Sequence, residues 1–327
     1  MFGQMDAGRL KFAIECLLAD FGKGNVFFVV PSTDDNYEQF AQPEYGKAPG
    51  MVFSYLQDAV DAAKSGNGDR IYLLPGIHFA QTAALQHKIY KDDLIISGLP
   101  GYRDATIIKG GNASDTDIDT AWVYGQDLVF KNLTFTSYGA NKESCSLLGA
   151  GAYGGVSYGP ASNVKFENCR FTAQSKTVGN GVEFYDVNNE LKKFEFTGCL
   201  FEECDNAVVY GAGTAGASGG QEGIEDVIIK DSVFRNCTVD HAEPSSNHSD
   251  VVRLLLLNNV HVDAKAGGSE HYIDLANGTN DGLVTKCSFA HATAATAKMA
   301  IPAGIKWVNN FTEEVLDSTG TTDNRPD

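Results

Sequence analysis

One segment of eight residues recurs along the chain, and this repeat restricts the possible folds more than any other feature of the sequence. Its first and third positions are mostly apolar, and a Phe or Val closes it at the eighth. The last residues of successive copies are 36, 30, 33, 28 and 27 positions apart, which is typical of a coil with one constant bend and variable loops. The copies are residues 128–135, 164–171, 194–201, 227–234, 255–262 and 282–289, with a degraded copy at 305–311.

The fifth position of the repeat holds Asn132, Asn168, Gly198, Asp231 or Asn259. These residue types tolerate a left-handed backbone conformation. Because side chains alternate along a strand, positions one and three share one face, and after such a bend positions six and eight face inward again. We therefore predict left-handed bends at Asn132, Asn168 and Asn259.

A further strand precedes most copies of the repeat, at residues 121–124, 181–185, 207–210 and 271–275. Three short strands per turn, stacked in register, predict an all-β fold: a right-handed single-stranded parallel β-helix of the pectate-lyase-like type. We expect it to run from about residue 70 to about residue 312. A leucine-rich repeat is the alternative, but the leucine spacing and the helix of that repeat are missing from the sequence.

The residues before the first repeat predict other elements. The first 50 residues are predicted to form an α/β arm with a helix at 6–21, a strand at 26–30 and a polar loop at 32–50. Ser54 and Gln57 match the S-x-x-Q capping box, which predicts a helix at 54–65 that caps the open end of the stack. The predicted domains are the arm at 1–50, the β-helix with its capping helix at 51–312, and an acidic tail at 313–327.

Cysteines recur at equivalent positions of the repeat. Cys169, Cys199 and Cys287 share position six, while Cys204 and Cys237 each follow the closing Phe by three residues. We predict that they line the interior as reduced thiols, because free Cys behaves as a small buried apolar residue. The sequence contains no C-x-x-C pair, so no metal and no cofactor is predicted.

The charge of the chain restricts its partners. Acids outnumber bases 42 to 25, and the net charge is −17. A nucleic-acid partner is not expected, because binding to phosphates needs Lys and Arg, and an anionic membrane surface is disfavoured for the same reason. The sequence shows no leader-like segment and no run of about 18 apolar residues, so we expect synthesis and folding in a cytoplasm.

Three motifs are candidate binding or catalytic sites, and each also has a simpler structural interpretation. They are the G-x-G-x-x-G segment at 211–216, the D-x-D-x-D spacing of Asp115, Asp117 and Asp119, and the cluster of Asp240, His241, Glu243, His248 and Asp250. The first two are interpreted as solvated loops, because the helix or calcium-loop residues that should follow them are absent. The third is interpreted as a loop, with acid–base catalysis as the alternative.

Residues that β-helix polysaccharide enzymes require are not recognised in the sequence. Glycoside hydrolysis needs two carboxylates at a set separation, and no such pair is evident. Arg170, Arg235 and Arg253 lie in or just after the repeats, with no acidic ladder expected beside them. We therefore predict no catalytic residue and no cleavage of oligosaccharides.

Three N-terminal segments, residues 26–37, 53–63 and 68–78, together resemble the start of β-helix virion proteins of tailed bacteriophages, a type linked with capsid proteins. The resemblance covers about residues 25–78. It implies a non-enzymatic virion component, a capsid decoration or cement protein that forms a homotrimer and binds the major capsid protein or another virion protein. The alternative is a polysaccharide-binding or polysaccharide-degrading β-helix, such as a small tail fibre or depolymerase.

The arm is the expected anchor, because the coils need only the capping helix and much of the apolar surface of the arm then has no intramolecular partner. In the alternative, helix 6–21 packs along the flank of the first coils. The candidate anchor residues are Leu10, Ile14, Leu17, Phe21, Phe27, Phe28, Tyr37, Phe40 and Tyr45.

Overall fold

The computed structural model shows three long β-sheets that lie side by side along the molecule. We name them A, B and C in the order in which each coil visits them, and we call one such coil a rung. The described residues are 24–31, 51–80, 86–110, 117–139, 142–149, 151–153, 156–173, 179–185, 191–211, 223–243, 250–262, 271–275, 280–290, 298–300 and 304–312.

Sheet A has twelve strands, all paired in parallel. In spatial order they are β2 (Val52–Phe53), β1 (Val26–Val29), β3 (Asp69–Leu73), β6 (Leu94–Gly98), β10 (Gln126–Lys131), β15 (Ser162–Glu167), β18 (Lys192–Thr197), β21 (Ile224–Lys230), β25 (Leu254–Leu257), β28 (Gly282–Thr285) and β31 (Ile305–Val308), with β24 (Val251–Val252) also beside β21.

Sheet B is formed by β4 (Gly76–Phe79), β7 (Thr106–Lys109), β11 (Thr134–Gly139), β16 (Arg170–Ala173), β19 (Leu200–Glu202), β22 (Val233–Arg235), β26 (Val260–Val262), β29 (Ser288–Ala290) and β32 (Phe311–Thr312), with β8 (Asp117–Ile118) antiparallel to β11. Sheet C is formed by β5 (His87–Ile89), β9 (Ala121–Val123), β12 (Lys142–Leu148), β17 (Gly179–Tyr185), β20 (Asn206–Tyr210), β23 (Val239–Ala242), β27 (His271–Asp274) and β30 (Lys298–Ala300). A hairpin of β13 (Gly151–Tyr153) and β14 (Val156–Tyr158), helix α1 (Leu56–Ala62) and a 3-10 turn (Arg103–Ala105) complete the described elements.

Parallel pairing of equivalent strands confirms the predicted β-helix. Position three of the repeat is in register from rung to rung, with Phe130 opposite Phe166 and Phe166 opposite Phe196. Their rings stack at centroid distances of 4.9 and 4.8 Å inside the helix. Position eight forms a second interior stack, in which Phe171 and Phe201 lie 5.0 Å apart. Burial of these rings is the main stabilising contribution of the middle of the stack.

The bend at position five is left-handed in six described copies of the repeat and in the degraded copy. The prediction is confirmed at Asn132 and Asn168, whose φ angles are 55° and 51°. It is wrong at Asn259, because the bend lies at Asn258, with φ 55°. The fifth copy starts at Leu254, one residue earlier than its run of four leucines suggested, since Leu254 pairs with Gly282 at position one. The interior residue at position eight is therefore His261 and not Val262.

The rungs from β6 to β25 contain further left-handed residues that the sequence did not reveal. One set immediately precedes position one: Asp93, Asp127, Asn163, Lys193, Asp226 and Arg253. A second set, Glu203 and Asn236, follows sheet B. A long side chain such as that of Lys193 or Arg253 raises the energy of this conformation by about 1–2 kcal/mol, so the surrounding backbone pairing must hold it in place.

Position six forms a continuous polar ladder through the interior. The side-chain oxygen of Asn259 accepts the backbone N–H of Ser232 at 3.0 Å, and its amide donates to the carbonyl of Ile229 at 2.9 Å. In the rung before, Ser232 Oγ accepts the N–H of Cys199 at 3.1 Å. The Cys199 sulfur in turn accepts the N–H of Cys169 and donates to the carbonyl of Phe166 at 3.4 Å. Position six therefore satisfies the backbone groups that the bend leaves without a partner.

The cysteine prediction is confirmed for the described residues. Cys169, Cys199 and Cys287 are buried free thiols in the interior, and Cys204 and Cys237 are buried free thiols three residues after the closing Phe. Burial raises the pKa of Cys199 to about 12, so the thiol stays protonated. Their role differs from the expected one, because each thiol at position six is a hydrogen-bonding group in the ladder and not merely an apolar one.

The capping helix α1 spans Leu56–Ala62, within the predicted 54–65. The predicted capping box is not formed, since the N-cap residue is Tyr55 and no side chain caps the helix. Gln57 instead pairs with the edge of sheet C: its oxygen accepts the N–H of Lys88 at 2.9 Å, and its amide donates to the carbonyl of Lys88 at 3.3 Å. The Gln57 amide thus takes the place of a neighbouring strand at the first rung of sheet C.

Strand β1 does not belong to a separate arm. It pairs with β3 on one side and β2 on the other, so it is part of sheet A in the first rung. The predicted domain boundary at residue 50 would therefore separate β1 from the other strands of the β-helix. Residues 26–29 belong to the β-helix and not to the arm. The remainder of the predicted arm, 1–23 and 32–50, and the tail at 313–327 lie outside the described residues.

Candidate functional site

Two of the nine candidate anchor residues are described, and both are buried within the chain. Phe27 is 5% exposed and lies in the main interior, where its ring is 5.8 Å from that of Phe53. Phe28 is 2% exposed on the opposite face of β1, where it stacks on Tyr72 at 5.8 Å. We expected the apolar residues of 26–30 to lack an intramolecular partner. This expectation is wrong for Phe27 and Phe28. The other candidates, Leu10, Ile14, Leu17, Phe21, Tyr37, Phe40 and Tyr45, lie outside the described residues.

The cluster around Asp240 lies inside the β-helix and not in the predicted loop. Asp240 and His241 belong to β23 and are buried, and the partner of Asp240 is His261, whose Nδ1 is 2.8 Å from Oδ2. The hydroxyl of Tyr210 is 3.1 Å from Nδ1 of His241. Of the remaining predicted members, His248 lies outside the described residues and Glu243 is buried beside Asn280.

Burial keeps these interior groups uncharged. It raises the pKa of Asp240 well above its usual value and lowers the pKa of His261 to about 3. The pair is therefore a neutral carboxyl that donates to a neutral imidazole. Burial, with a contribution from His261, also lowers the pKa of His241 well below its usual value. A reactant in solution has no access to these atoms in a closed interior, so the cluster has a structural role.

A group of carboxylates on sheet C was not foreseen. Glu183 and Asp119 both lie close enough to Glu143 to disfavour its ionisation. Asp119 Oδ2 accepts the indole N–H of Trp122 at 2.7 Å, and Glu143 Oε1 accepts from the Asn180 amide at 3.3 Å. The expectation that the chain has no paired carboxylates is therefore wrong.

The protonation state of this carboxylate group follows from its burial. Glu143 and Glu183 are both buried. Burial first, then the negative charge of Glu183 and the hydrogen bond with Asp119, raise the pKa of Glu143 to about 11. Glu143 is therefore protonated at neutral pH. The three acids are far apart in sequence and come from different rungs, so no spacing could have indicated them.

Sheet B carries a second charged group that was not predicted. The buried Glu202 carboxylate lies between two guanidinium groups, accepting from Arg170 with one oxygen and from Arg235 with the other. On sheet A, Arg253 donates to Asp226 at 2.6 Å and to Glu225 at 2.8 Å. These arginines are thus paired with individual acids, Glu202, Glu225 and Asp226. Correct alignment of the repeats places Glu202 opposite Arg235 in neighbouring rungs, so this contact was available from the sequence.

Neither a metal site nor a membrane-spanning helix is found in the part of the chain that the structure describes. No group of three His, Cys, Asp or Glu residues there has the geometry to hold an ion. The single described α-helix has seven residues, and no described helix is long and apolar enough to cross a bilayer.

Comparison with known proteins gave matches only among solved structures. No protein-family model and no curated protein matches the chain. ORF18 of Geobacillus virus E2 is 13% identical with a TM-score of 0.45, over 95% of this chain and 66% of that protein. Pectate lyase Pel9A is 12% identical with a TM-score of 0.47, over 90% and 78%. Pectin methylesterase PemA from Erwinia chrysanthemi is 10% identical with a TM-score of 0.46, over 93% and 92%. The chain thus spans just under two thirds of the phage protein, and similarities at this level assign no activity.

Proposed function

We propose that this protein is a non-enzymatic structural component of a tailed-bacteriophage virion, a capsid decoration protein anchored through its N-terminal residues. As the resemblance of residues 25–78 implies, its partner is the major capsid protein or another virion protein, and the protein is a homotrimer. The observation that carries the proposal is the position of β1. This strand is part of the first rung, and both 1–23 and 32–50, the predicted anchor segments, connect directly to it.

Several contacts tie β1 firmly to the stack. Its backbone pairs with β3 along its whole length and with β2 at Phe28 and Val29. The carboxylate of Asp69 accepts the N–H of Asn25 at 2.7 Å and the N–H of Lys64 at 2.8 Å, so it joins the start of β1 to the end of α1. A virion partner that binds either flanking segment would therefore hold the rigid β-helix through backbone hydrogen bonds.

The outer face of sheet A also supports a structural role. Lys131 pairs with Glu167 at 2.8 Å, and Glu195 pairs with Lys230 at 2.6 Å. Charges on this face are thus largely paired between neighbouring rungs. Each of these charged side chains already has a partner within the same chain.

The test removes the anchor without removing β1. One variant lacks residues 1–23, and another replaces 32–50 with a Gly-Ser linker of the same length. Each is added to capsids produced without the protein, and occupancy is measured by electron microscopy. We expect at least one of the two to remain a folded β-helix and fail to bind capsids.

The matched control lacks residues 313–327, which follow the last described strand in the sequence, and should bind at normal occupancy. Normal occupancy of both N-terminal variants would contradict the proposed anchor. Absence of the wild-type protein from purified virions would contradict the proposed function itself.

The carboxylate group on sheet C favours a second candidate, a polysaccharide-degrading β-helix. A general acid must be protonated at the working pH, and burial beside Glu183 raises the pKa of Glu143 so that it is protonated. Asp119, which lies near Glu143, would be the second carboxylate.

Incubation with acidic and neutral polysaccharides distinguishes the two candidates. Release of reducing or unsaturated ends by the wild type, lost in Glu143→Gln and retained in the matched surface variant Glu195→Gln, would establish the enzyme. Failure of the folded wild type to cleave any of these polysaccharides would exclude it for the substrates tested.

A further inference from the structure

The outer face of sheet A changes character along the stack. In the middle rungs, positions two and four of the repeat hold charged side chains such as Lys165, Glu195 and Lys131. In the later rungs several of these positions are aliphatic and partly exposed, although Lys230, Thr285 and Lys306 remain polar. Ile228, Leu255 and Leu283 lie opposite one another at position two, and Leu257 and Val308 lie at position four.

The aliphatic residues continue around the bend onto sheet B. Val260 is 40% exposed, Val308 43% and Phe311 64%, and these are three of the four large apolar side chains that are most exposed in the described part of the chain. We name the set of Ile228, Leu255, Leu257, Leu283, Val260, Val308 and Phe311 the aliphatic strip. Ile228, Leu255 and Leu283 lie on consecutive strands, about 4.8 Å apart, and form a row parallel to the long axis. Thr285 separates Leu257 from Val308, and Ser288 separates Val260 from Phe311.

We propose that the aliphatic strip is the surface through which copies of this chain associate side by side. A row of partly exposed aliphatic side chains of this kind marks an interface, because burying them against a partner removes them from water. Association through the aliphatic strip does not require a virion role, because any parallel β-helix with these exposed side chains would associate in the same way.

Charge indicates that the occupant is a second copy. The whole chain carries −17, so most approaches of two copies are repulsive. On the outer face of sheet A, beside the strip, positive and negative charges nearly cancel instead, because the ion pairs there contain five cations and four acids. These are Lys131, Lys165, Lys192, Lys230 and Arg253 with Glu167, Glu195, Glu225 and Asp226. Two copies can therefore meet on this face without the repulsion that the rest of the surface imposes.

The test compares the full chain with Leu255→Thr/Leu283→Thr by sedimentation velocity across a range of concentrations. Thr keeps a strand-forming side chain and is already present at position four as Thr197 and Thr285. We expect the wild type to sediment as a multiple of 35.1 kDa. The variant should need at least tenfold higher concentration to associate, with an unchanged circular dichroism spectrum.

The matched control is Ile77→Thr, which alters an exposed aliphatic residue on sheet B at the opposite end of the stack. Its association should equal that of the wild type. If Leu255→Thr/Leu283→Thr fails to fold, Leu257→Thr alone is used with the same expectation at a smaller shift.

Three outcomes would overturn the proposal. They are a wild type that stays monomeric at all concentrations, an oligomer that the strip variants do not weaken, and a chain lacking 313–327 that associates while the full chain does not. The last result would show that the tail, and not a second copy, occupies the strip.

Discussion

The middle rungs (residues 126–210) and the later rungs (residues 224–312) have the same backbone plan but contain different side chains. At position eight the middle rungs have Phe171 and Phe201, whereas the later rungs include His261, stacked between Phe234 at 4.6 Å and Phe289 at 4.4 Å. Outside, ion pairs run along the middle rungs and reach Arg253 in the later rungs, whereas the aliphatic strip lies only on the later rungs. One backbone plan therefore accepts different interiors and surfaces, provided that the bend and its polar ladder are kept.

The largest effect is expected from cutting the aromatic stack of the middle rungs. Phe166 packs against Phe130 and Phe196 on either side, so Phe166→Ala should lower the free energy of unfolding by about 3–5 kcal/mol. Leu256→Ala, at the same position of a later rung, should cost less, about 2–4 kcal/mol, because it removes no ring stacking. Urea denaturation measures both.

The outward-facing variant Lys165→Ala is the control for the aromatic stack and should change stability by less than about 0.5 kcal/mol. If Phe166→Ala cost no more than this control, the interior stack would not be the main source of stability in the middle rungs.

The polar ladder at position six gives the next effect. Asn259→Ala leaves the N–H of Ser232 and the carbonyl of Ile229 buried without partners, which should cost about 2–4 kcal/mol. Cys199→Ser in the middle rungs should cost less than about 1 kcal/mol, because Ser232 already makes the equivalent contacts one rung later. Urea denaturation measures the free energy of unfolding of both variants. If it fell equally in the two, the contribution of the ladder to stability would not depend on hydrogen bonding.

Lowering the pH should destabilise the later rungs more than the middle rungs. His241 is held neutral in the fold, with its pKa far below the usual 6.5, so the stability it contributes is present above about pH 6.5 and decreases as the pH falls below it. His241 should contribute about 1.4 kcal/mol per pH unit to the slope of the free energy of unfolding against pH. His241→Val, which copies Val208 one rung earlier, should reduce the slope between pH 4 and 6 by that amount.

The Asp240–His261 pair does not add to this acid slope, because folded and unfolded forms both bind about one proton between the usual pKa values of Asp and His. Replacing the pair with Asp240→Ala/His261→Phe should therefore leave the slope between pH 4 and 6 unchanged. A slope that falls equally in this control would contradict the assignment to His241.

The ion pairs of sheet A should have the smallest effect. Lys165 and Glu195 are partly exposed and 3.7 Å apart, so a double-mutant cycle with Lys165→Ala and Glu195→Ala should give a coupling of about 0.2–1 kcal/mol. One molar salt should reduce it further. A coupling above about 2 kcal/mol would mean that the charged face stabilises the middle rungs, and not only their interior.

Much of the fold was predictable because its signals are local. Alternation at positions one and three and a left-handed residue at position five act within one copy of the repeat, and they correctly indicated the β-helix, the bends at Asn132 and Asn168 and the buried thiols. The fifth copy was misaligned because four consecutive leucines, residues 254–257, offer two apolar alternations, and only pairing with β28 selects one of them.

Contacts between rungs that involve residues outside the repeat were decided by tertiary structure. Glu143 and Asp119 meet because three strands of sheet C stack, and the raised pKa of Glu143 exists only once those strands bury it. In the same way, β1 joins the first rung because β3 offers it an edge, although its sequence resembles a free apolar strand. The sequence by itself determined the shape of each coil, since side-chain alternation and bend preference are properties of neighbouring residues. Which side chains then share a site was decided by the stacking register, which brings together residues that are one or more coils apart in the chain.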